Sequence, residues 1–192
     1  MNTALTTRRL ILRRWRPDDR PAFRLMNADP EVMAMLGPPL SPRQSDALLD
    51  HIEGQFVEHG FGLWCVDLGG ECIGFTGLSR PSFRAGVEIG WRLRPAWWGQ
   101  GYASEAARAV LACAFDQPPA GFGLAEVISF TATLNERSQR VMRAIGLERD
   151  PAGDFVHPSL PGGSPLGPHV LYHLTQARFC SSAAARRDGA LG

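Results

Sequence analysis

No stretch of this 192-residue chain reaches the ~18 consecutive apolar residues that a membrane span requires. The opening MNTALTTRRLILRR also lacks the long apolar core of a signal peptide, so the chain reads as cytoplasmic with no membrane partner. An excess of either charge is missing too. The 20 basic and 19 acidic side chains leave a net charge of +1, which argues against a dedicated nucleic-acid surface. Cys65, Cys72, Cys113 and Cys180 show no C-x-x-C spacing, which favours reduced thiols, although Cys65 and Cys72 could face each other across a hairpin. His169 and His173 stand four apart with His157 nearby, yet no cysteine or carboxylate cluster completes a metal site, and no metal is expected. Cys113 falls mid-helix without an activating partner, so a cysteine nucleophile has no support.

What is present is the pattern of one globular domain, large enough to bury about two-thirds of its unfolded surface. RRLILRRW reads as an opening strand, followed by short helices through Phe23, Leu25 and Met26 and through DPEVMAML. Ser41 can cap a helix, Pro42 suits its first position and Gln44 completes a capping box. That helix should run to about His59, with Leu48, Ile52 and Phe56 on one face. FGLWCVDLGGECIGFTGL is a hairpin turning at Gly69-Gly70, and GVEIGWRL is a third strand that Pro95 stops. A helix rich in small residues, a strand EVISFTAT, and a helix from about Asn135 to Ile145 ended by Gly146 come next. Two last strands, DFVHP and HVLYHLT, flank a Pro/Gly-rich loop, and from about Cys180 the chain has no apolar pattern and should fray. Hairpin strands followed by β-α-β-α describe a mixed α/β sheet with helices on both faces.

The segment PAWWGQGYASEA places Gly99 and Gly101 at a helix entrance. A dinucleotide loop would need a third glycine where Ser104 stands, and a nucleotide-binding P-loop would need a lysine. Neither pattern is met. Glycines let a ligand approach the main chain, and the first amides of the following helix are unpaired and sit at its positive end. Such a loop can bind an anion without basic side chains, or it can be only a tight strand-to-helix turn.

VEIGWRLRPAWWGQGYASEA, followed after a strand by LNERSQRVMRAIGLE, resembles the GNAT superfamily of N-acetyltransferases. With TTRRLILRRWRPDD at the start, it is most similar to the RimJ/RimL-like branch, and the likeness runs from about Thr6 to Phe179. The resemblance implies the GNAT fold, a central, mostly antiparallel mixed sheet flanked by helices on both faces. It implies a single N-acetyltransferase domain over residues 1–179 and a flexible tail over 180–192. The superfamily's pyrophosphate loop falls on Trp98 to Ala103, with Trp98 departing from its first position. The amides of Gly99, Gln100, Gly101, Tyr102, Ala103 and Ser104 would then meet the pyrophosphate of acetyl-CoA. The backbone of Trp91, Arg92 and Leu93 would pair with the pantetheine arm like an added strand, whose amides can satisfy a sheet edge. Asn135 would hydrogen-bond the cofactor near its thiol end.

Transfer of an acetyl group from a thioester to an amine needs a base, a donor for the developing oxyanion and an acid for the leaving thiolate. An aliphatic amine with a pKa near ~10 is mostly protonated at neutral pH. Glu88, where the resembling branch often carries a glutamate, is the candidate base, directly or through a water, on the strand face opposite Val87 and Ile89, against the alternative of a merely solvent-facing carboxylate. A main-chain amide such as that of Arg92 is the candidate oxyanion donor. Many superfamily members carry a tyrosine where this chain has Met142, which cannot donate a proton. Ser138, one turn after Asn135, is the candidate acid in its place, against the alternatives of solvent or a merely structural serine. Direct transfer in a ternary complex is expected, onto a protein N-terminus or a small-molecule amine, with homodimerisation possible for the family. A catalytically silent acyl-CoA-binding module is the alternative. The aromatics Trp64, Trp91, Trp97, Trp98, Phe61 and Phe83 could line an acceptor cleft or form core, and the segments Pro30–Pro42 and Pro161–Pro168 are candidate gating loops.

Overall fold

The computed structural model describes residues 4–188 of the chain. The strands are β1 (Leu5–Thr6), β2 (Ile11–Arg13), β3 (Leu63–Leu68), β4 (Glu71–Ser79), β5 (Glu88–Leu93), β6 (Glu126–Ala132), β7 (Glu148–Val156) and β8 (Pro168–Thr175). Among the described residues they form one 8-stranded sheet in the order β1-β2-β3-β4-β5-β6-β8-β7. Every neighbouring pair is antiparallel except β5 and β6, which run parallel. The β3–β4 hairpin turns at Gly69 (φ 61°) and Gly70 (φ 94°), left-handed positions that glycine occupies without strain. Asp67 Oδ1 accepts from the Gly70 amide at 2.7 Å and closes the turn. The middle of β4 is buried from Cys72 to Leu78, as a strand covered on both faces should be.

One group of helices, α1 (Arg20–Ala28), α2 (Pro30–Met33) and α3 (Pro42–His59), precedes the hairpin. The box at Ser41 is present: its hydroxyl accepts from the Gln44 amide while Gln44 Oε1 accepts from the Ser41 amide. Phe23 of α1 lies against Phe75 of β4, ring centroids 6.0 Å apart. Helix α4 (Tyr102–Phe115) and helix α5 (Glu136–Ala144) cover the other face. Ala106, Ala107, Val110, Leu111 and Ala114 of α4 are wholly buried, their small side chains bringing the helix close to β4 and β5. The expected mixed α/β sheet with helices on both faces is thus present among the described residues.

The C-terminal segment departs from the sequence reading. Helix α6 (Gln176–Asp188) continues through the stretch expected to fray from Cys180; residues 189–192 of that tail lie outside the described residues. Its sequence, QARFCSSAAARRD, is rich in alanine and arginine, strong helix formers that need no apolar stripe. Its first turn packs inward, through Phe179 against Phe115.

A buried ionic cluster pins the first strands together. Arg13 donates from Nη1 and Nη2 to the two carboxylate oxygens of Asp19 (2.7 and 2.9 Å) and from Nε to Asp67 (2.7 Å). All three side chains are less than a tenth exposed. Burial alone would raise the Asp19 pKa, but Arg13 and the Arg16 amide hold it below the usual carboxylate range. This contribution to stability is complete above the unfolded carboxylate pKa and is lost as pH falls through the folded value. Cys65 and Cys72 lie beside Asp19, with ligand-type atoms within 4.8 Å, and both thiols are free. The guanidinium already occupies both Asp19 oxygens, so the trio has a structural explanation. Asp19→Ala should lower stability by about 3–5 kcal/mol in urea unfolding, because it strands a buried charge. Adding Arg13→Met together with Asp67→Asn, which removes the charges left behind, should restore most of that loss; a triple variant no better than the single one would show that the cluster acts through more than its charges.

Candidate active site

The central feature is a gap in the sheet. Strands β5 and β6 share a single register pair, Glu88 with Ile128. The Ile128 amide donates to Val87 O at 2.9 Å, and Ser129 Oγ donates to Ile89 O at 2.8 Å. Beyond that point the strands part. On its other side β5 stays paired with β4 through to the Arg94 amide, which donates to Ile73 O at 3.0 Å. Strand alternation then aims the main-chain groups of Val87, Ile89, Trp91 and Leu93 at β6, and those of Glu88, Gly90, Arg92 and Arg94 at β4. Trp91 therefore offers a free edge to the gap, and Leu93 a free amide. The Arg92 amide faces β4, which corrects its assignment as oxyanion donor; Trp91 and Leu93 supply the amides facing the gap. Sequence alone does not fix this parity, because it depends on pairing.

At the end of β5 a 3-10 turn, Pro95–Trp97, leads into the glycine loop. Trp98 Nε1 donates to Leu93 O at 2.7 Å, and Arg137 stacks on the Trp98 ring at 4.0 Å. The unusual tryptophan thus ties the loop to the strand edge. Gly99 (φ 75°) and Gly101 (φ 80°) are both left-handed. A Cβ on Gly99 would meet nothing within 4 Å, so backbone conformation rather than crowding asks for glycine there. The first bond of α4 runs from the Glu105 amide to Gly101 O at 3.0 Å, and Gly101 offers no side-chain cap. The amides of Tyr102, Ala103 and Ser104 are left as free donors at the positive end of the helix. Glu105 would oppose an anion there, but it accepts from Arg9 Nε (2.7 Å), the Arg9 amide (2.9 Å) and Thr7 Oγ1 (2.7 Å).

Gap and loop open into one cleft of about 1200 Å³. That exceeds the roughly 300–1,000 Å³ of a site for one small ligand. Every predicted site residue lines it except Gln100, whose Nε2 instead donates to Ala96 O at 3.0 Å and braces the loop. Asn135 caps α5: its Oδ1 accepts from the Ser138 amide at 3.1 Å and its Nδ2 donates to Thr131 Oγ1 at 3.0 Å. One Nδ2 hydrogen remains for a ligand. Trp97 Nε1, on the cleft wall, is a buried donor with no partner among the described residues. Trp64 and Phe61 belong to the core, whereas Trp91, Trp97 and Trp98 line the cleft. Phe83 joins Phe130, Phe155, His157 and His169 in an aromatic cluster. Of the two candidate gating segments, Pro30–Pro42 contributes Glu31, Val32, Ala34, Met35 and Leu36 to the cleft, while Pro161–Pro168 contributes nothing.

A family model described as an acetyltransferase (GNAT) domain matches residues 9–148. The chain belongs to the GNAT acetyltransferase family. It is 36% identical over 167 residues to the FsC-acetyl coenzyme A-N(2)-transacetylase of Aspergillus fumigatus, a match covering 80% of this chain and 68% of that protein. An acetyltransferase from Agrobacterium tumefaciens str. C58 superposes with a TM-score of 0.74 at 30% identity, covering 90% of this chain and 94% of its own. The spermidine N-acetyltransferase of Vibrio cholerae, solved in complex with CoA and spermine, shares the fold at 16% identity, with a TM-score of 0.70 and coverage of 90% and 98%.

In this GNAT acetyltransferase Glu88 stands at the β5–β6 register pair where the gap begins. Glu88 points its carboxylate over Gly90, whose Cβ position would lie 3.8 Å from Oε1. Burial raises its pKa to about 7, and the hydrogen bond from Ser79 Oγ at 3.2 Å works against that rise. Ser79, opposite Glu88 in the β4–β5 register, carried no signal in the sequence. Ser138 is half-buried on the cleft wall, while Met142, one turn later, is only 1% exposed and packed in the core. Amides, free edge and orphaned donor together fit a coenzyme with a pyrophosphate and an amide-bearing arm. Gly101→Ala must force a left-handed conformation on a residue with a Cβ, at about 1–2 kcal/mol. The thermal shift produced by coenzyme A should shrink in this variant. An undiminished shift would mean that the loop main chain does not meet the ligand.

Proposed function

We propose that this protein is an acetyl-CoA-dependent N-acetyltransferase acting on a primary amine by direct transfer in a ternary complex. The observation that carries this reading is a single cleft holding a free amide cradle at one end and Glu88, buried and near neutrality, at the other. Acetyl-CoA, when bound, supplies the acetyl group as a thioester. The amides of Gly99 to Ser104 hold its pyrophosphate, and the edges of Trp91 and Leu93 align its arm. Glu88 Oε1 or Oε2 takes the proton from the amine, directly or through a water, and a pKa near the working pH suits that task. An amide on the gap side of β5 donates to the carbonyl oxygen as it gains charge. Ser138 Oγ stands ready to give a proton to the departing sulfur.

The acceptor is a peptide N-terminus or a small-molecule amine. The N(2)-transacetylase and spermidine N-acetyltransferase named above support an amine in general. The resemblance of TTRRLILRRWRPDD and LNERSQRVMRAIGLE to the RimJ/RimL-like branch favours the peptide end. Glu88 acts as its carboxylate, so kcat/KM should fall as pH drops below about 7. Glu88→Gln should lose about 10²–10⁴ of kcat and that acidic limb together. Turnover and pH profile unchanged in this variant would refute the base. Thermal stabilisation by acetyl-CoA without turnover of any peptide or small amine would instead favour an acyl-CoA-binding module.

A further inference from the structure

Arg92 shares a face of β5 with Glu88, because residues four apart on a strand point the same way. Gly90 stands between them and leaves bare backbone on the cleft floor. From that floor the Arg92 side chain runs towards α1. Nη1 donates to Asn27 Oδ1, and Cζ lies 5.2 Å from the centre of the Phe75 ring. Asn27 is wholly buried and in turn donates from Nδ2 to Ser45 Oγ of α3 at 2.8 Å. The chain Ser45–Asn27–Arg92 fixes the guanidinium from beneath, and none of its members is an anion.

Several other arginines are held by carboxylates instead. Arg9, Arg13, Arg20 and Arg24 each pair with a carboxylate. Among the described residues no salt bridge reaches Arg92, although it lines the cleft and burial lowers its pKa to about 10. A guanidinium has five donors in a fork suited to carboxylate, and a desolvated charge is stable only when paired. One hydrogen bond to a neutral amide leaves most of that capacity unused. The free amides for pyrophosphate belong to the start of α4, whereas this side chain is held by α1 and α3.

We propose that Arg92 binds an anionic group on the acceptor, so that the substrate is an amine that also carries a carboxylate. Taking the acetyltransferase reading as its basis, this narrows the acceptor class. The Cα atoms of Glu88 and Arg92 are roughly 13 Å apart on an extended strand. Amine and carboxylate must therefore be separated by several bonds, and a polycation is repelled at the Arg92 end.

The test compares ω-amino acids of increasing chain length, each beside its terminal amide, in wild type and in Arg92→Gln, which keeps a donor for Asn27. Wild type should prefer the carboxylate by about tenfold in kcat/KM at a favoured length, the worth of a charge-assisted hydrogen bond. Arg92→Gln should abolish that preference, and Arg92→Lys should retain part of it. Calorimetric titration of the same pairs in the presence of coenzyme A reads recognition without turnover. A carboxylate preference in binding with no turnover would refute acetyl transfer and leave the Arg92 site standing. Equal use of acid and amide by wild type, a preference unchanged in Arg92→Gln, or a loss confined to the KM of acetyl-CoA would overturn the proposal.

Discussion

The parallel pairing of β5 and β6 is the constraint on which the rest of this molecule depends. Parallel neighbours cannot be joined by a tight turn; they need a crossover, here supplied by α4. That helix must start where β5 ends, so its unpaired amides necessarily arrive at the mouth of the gap. The strands then separate after one register pair, while β6 stays paired along its full length with β8. One topological choice thus produces the open edge, the amide cradle and the space between them. The glycines at 99 and 101 only make the turn between edge and cradle tight enough.

Much of this could be read in the residues. Ser41-Pro42-x-Gln44 fixes a helix start through local hydrogen bonds, and Gly69-Gly70 fixes a turn through backbone conformation. Both signals are contained within a few residues. The face that Glu88 takes was legible for a similar reason, since strand alternation sets it opposite Val87 and Ile89. The parity of Arg92 was not, because which amides face β4 depends on a register between segments many residues apart. Ser79 beneath Glu88, and Asn27 with Ser45 beneath Arg92, were hidden for the same reason. Helix α6 was missed on different grounds, because its alanine- and arginine-rich sequence favours helix by propensity and carries no apolar period to detect.

The contrast between buried Arg13 and half-buried Arg92 clarifies how the protein distributes electrostatic strain. Arg13 is surrounded by carboxylates, far from the cleft, and serves to lock strands. Arg92 and Glu88 are held in the cleft with neutral partners only. Neither gains the attraction that would offset its lost hydration, so each destabilises the empty protein and is poised to interact with whatever enters. Perturbed ionisable groups of this kind concentrate where chemistry occurs.

The hydrogen bond from Trp98 to Leu93 has a further thermodynamic meaning. Because it joins the loop to the strand edge in the free chain, the two halves of the donor site cannot fluctuate independently. Ordering entropy that would otherwise be lost on association is already spent during folding. The coenzyme then meets a preorganised surface, and its binding should resemble rigid docking more than induced closure.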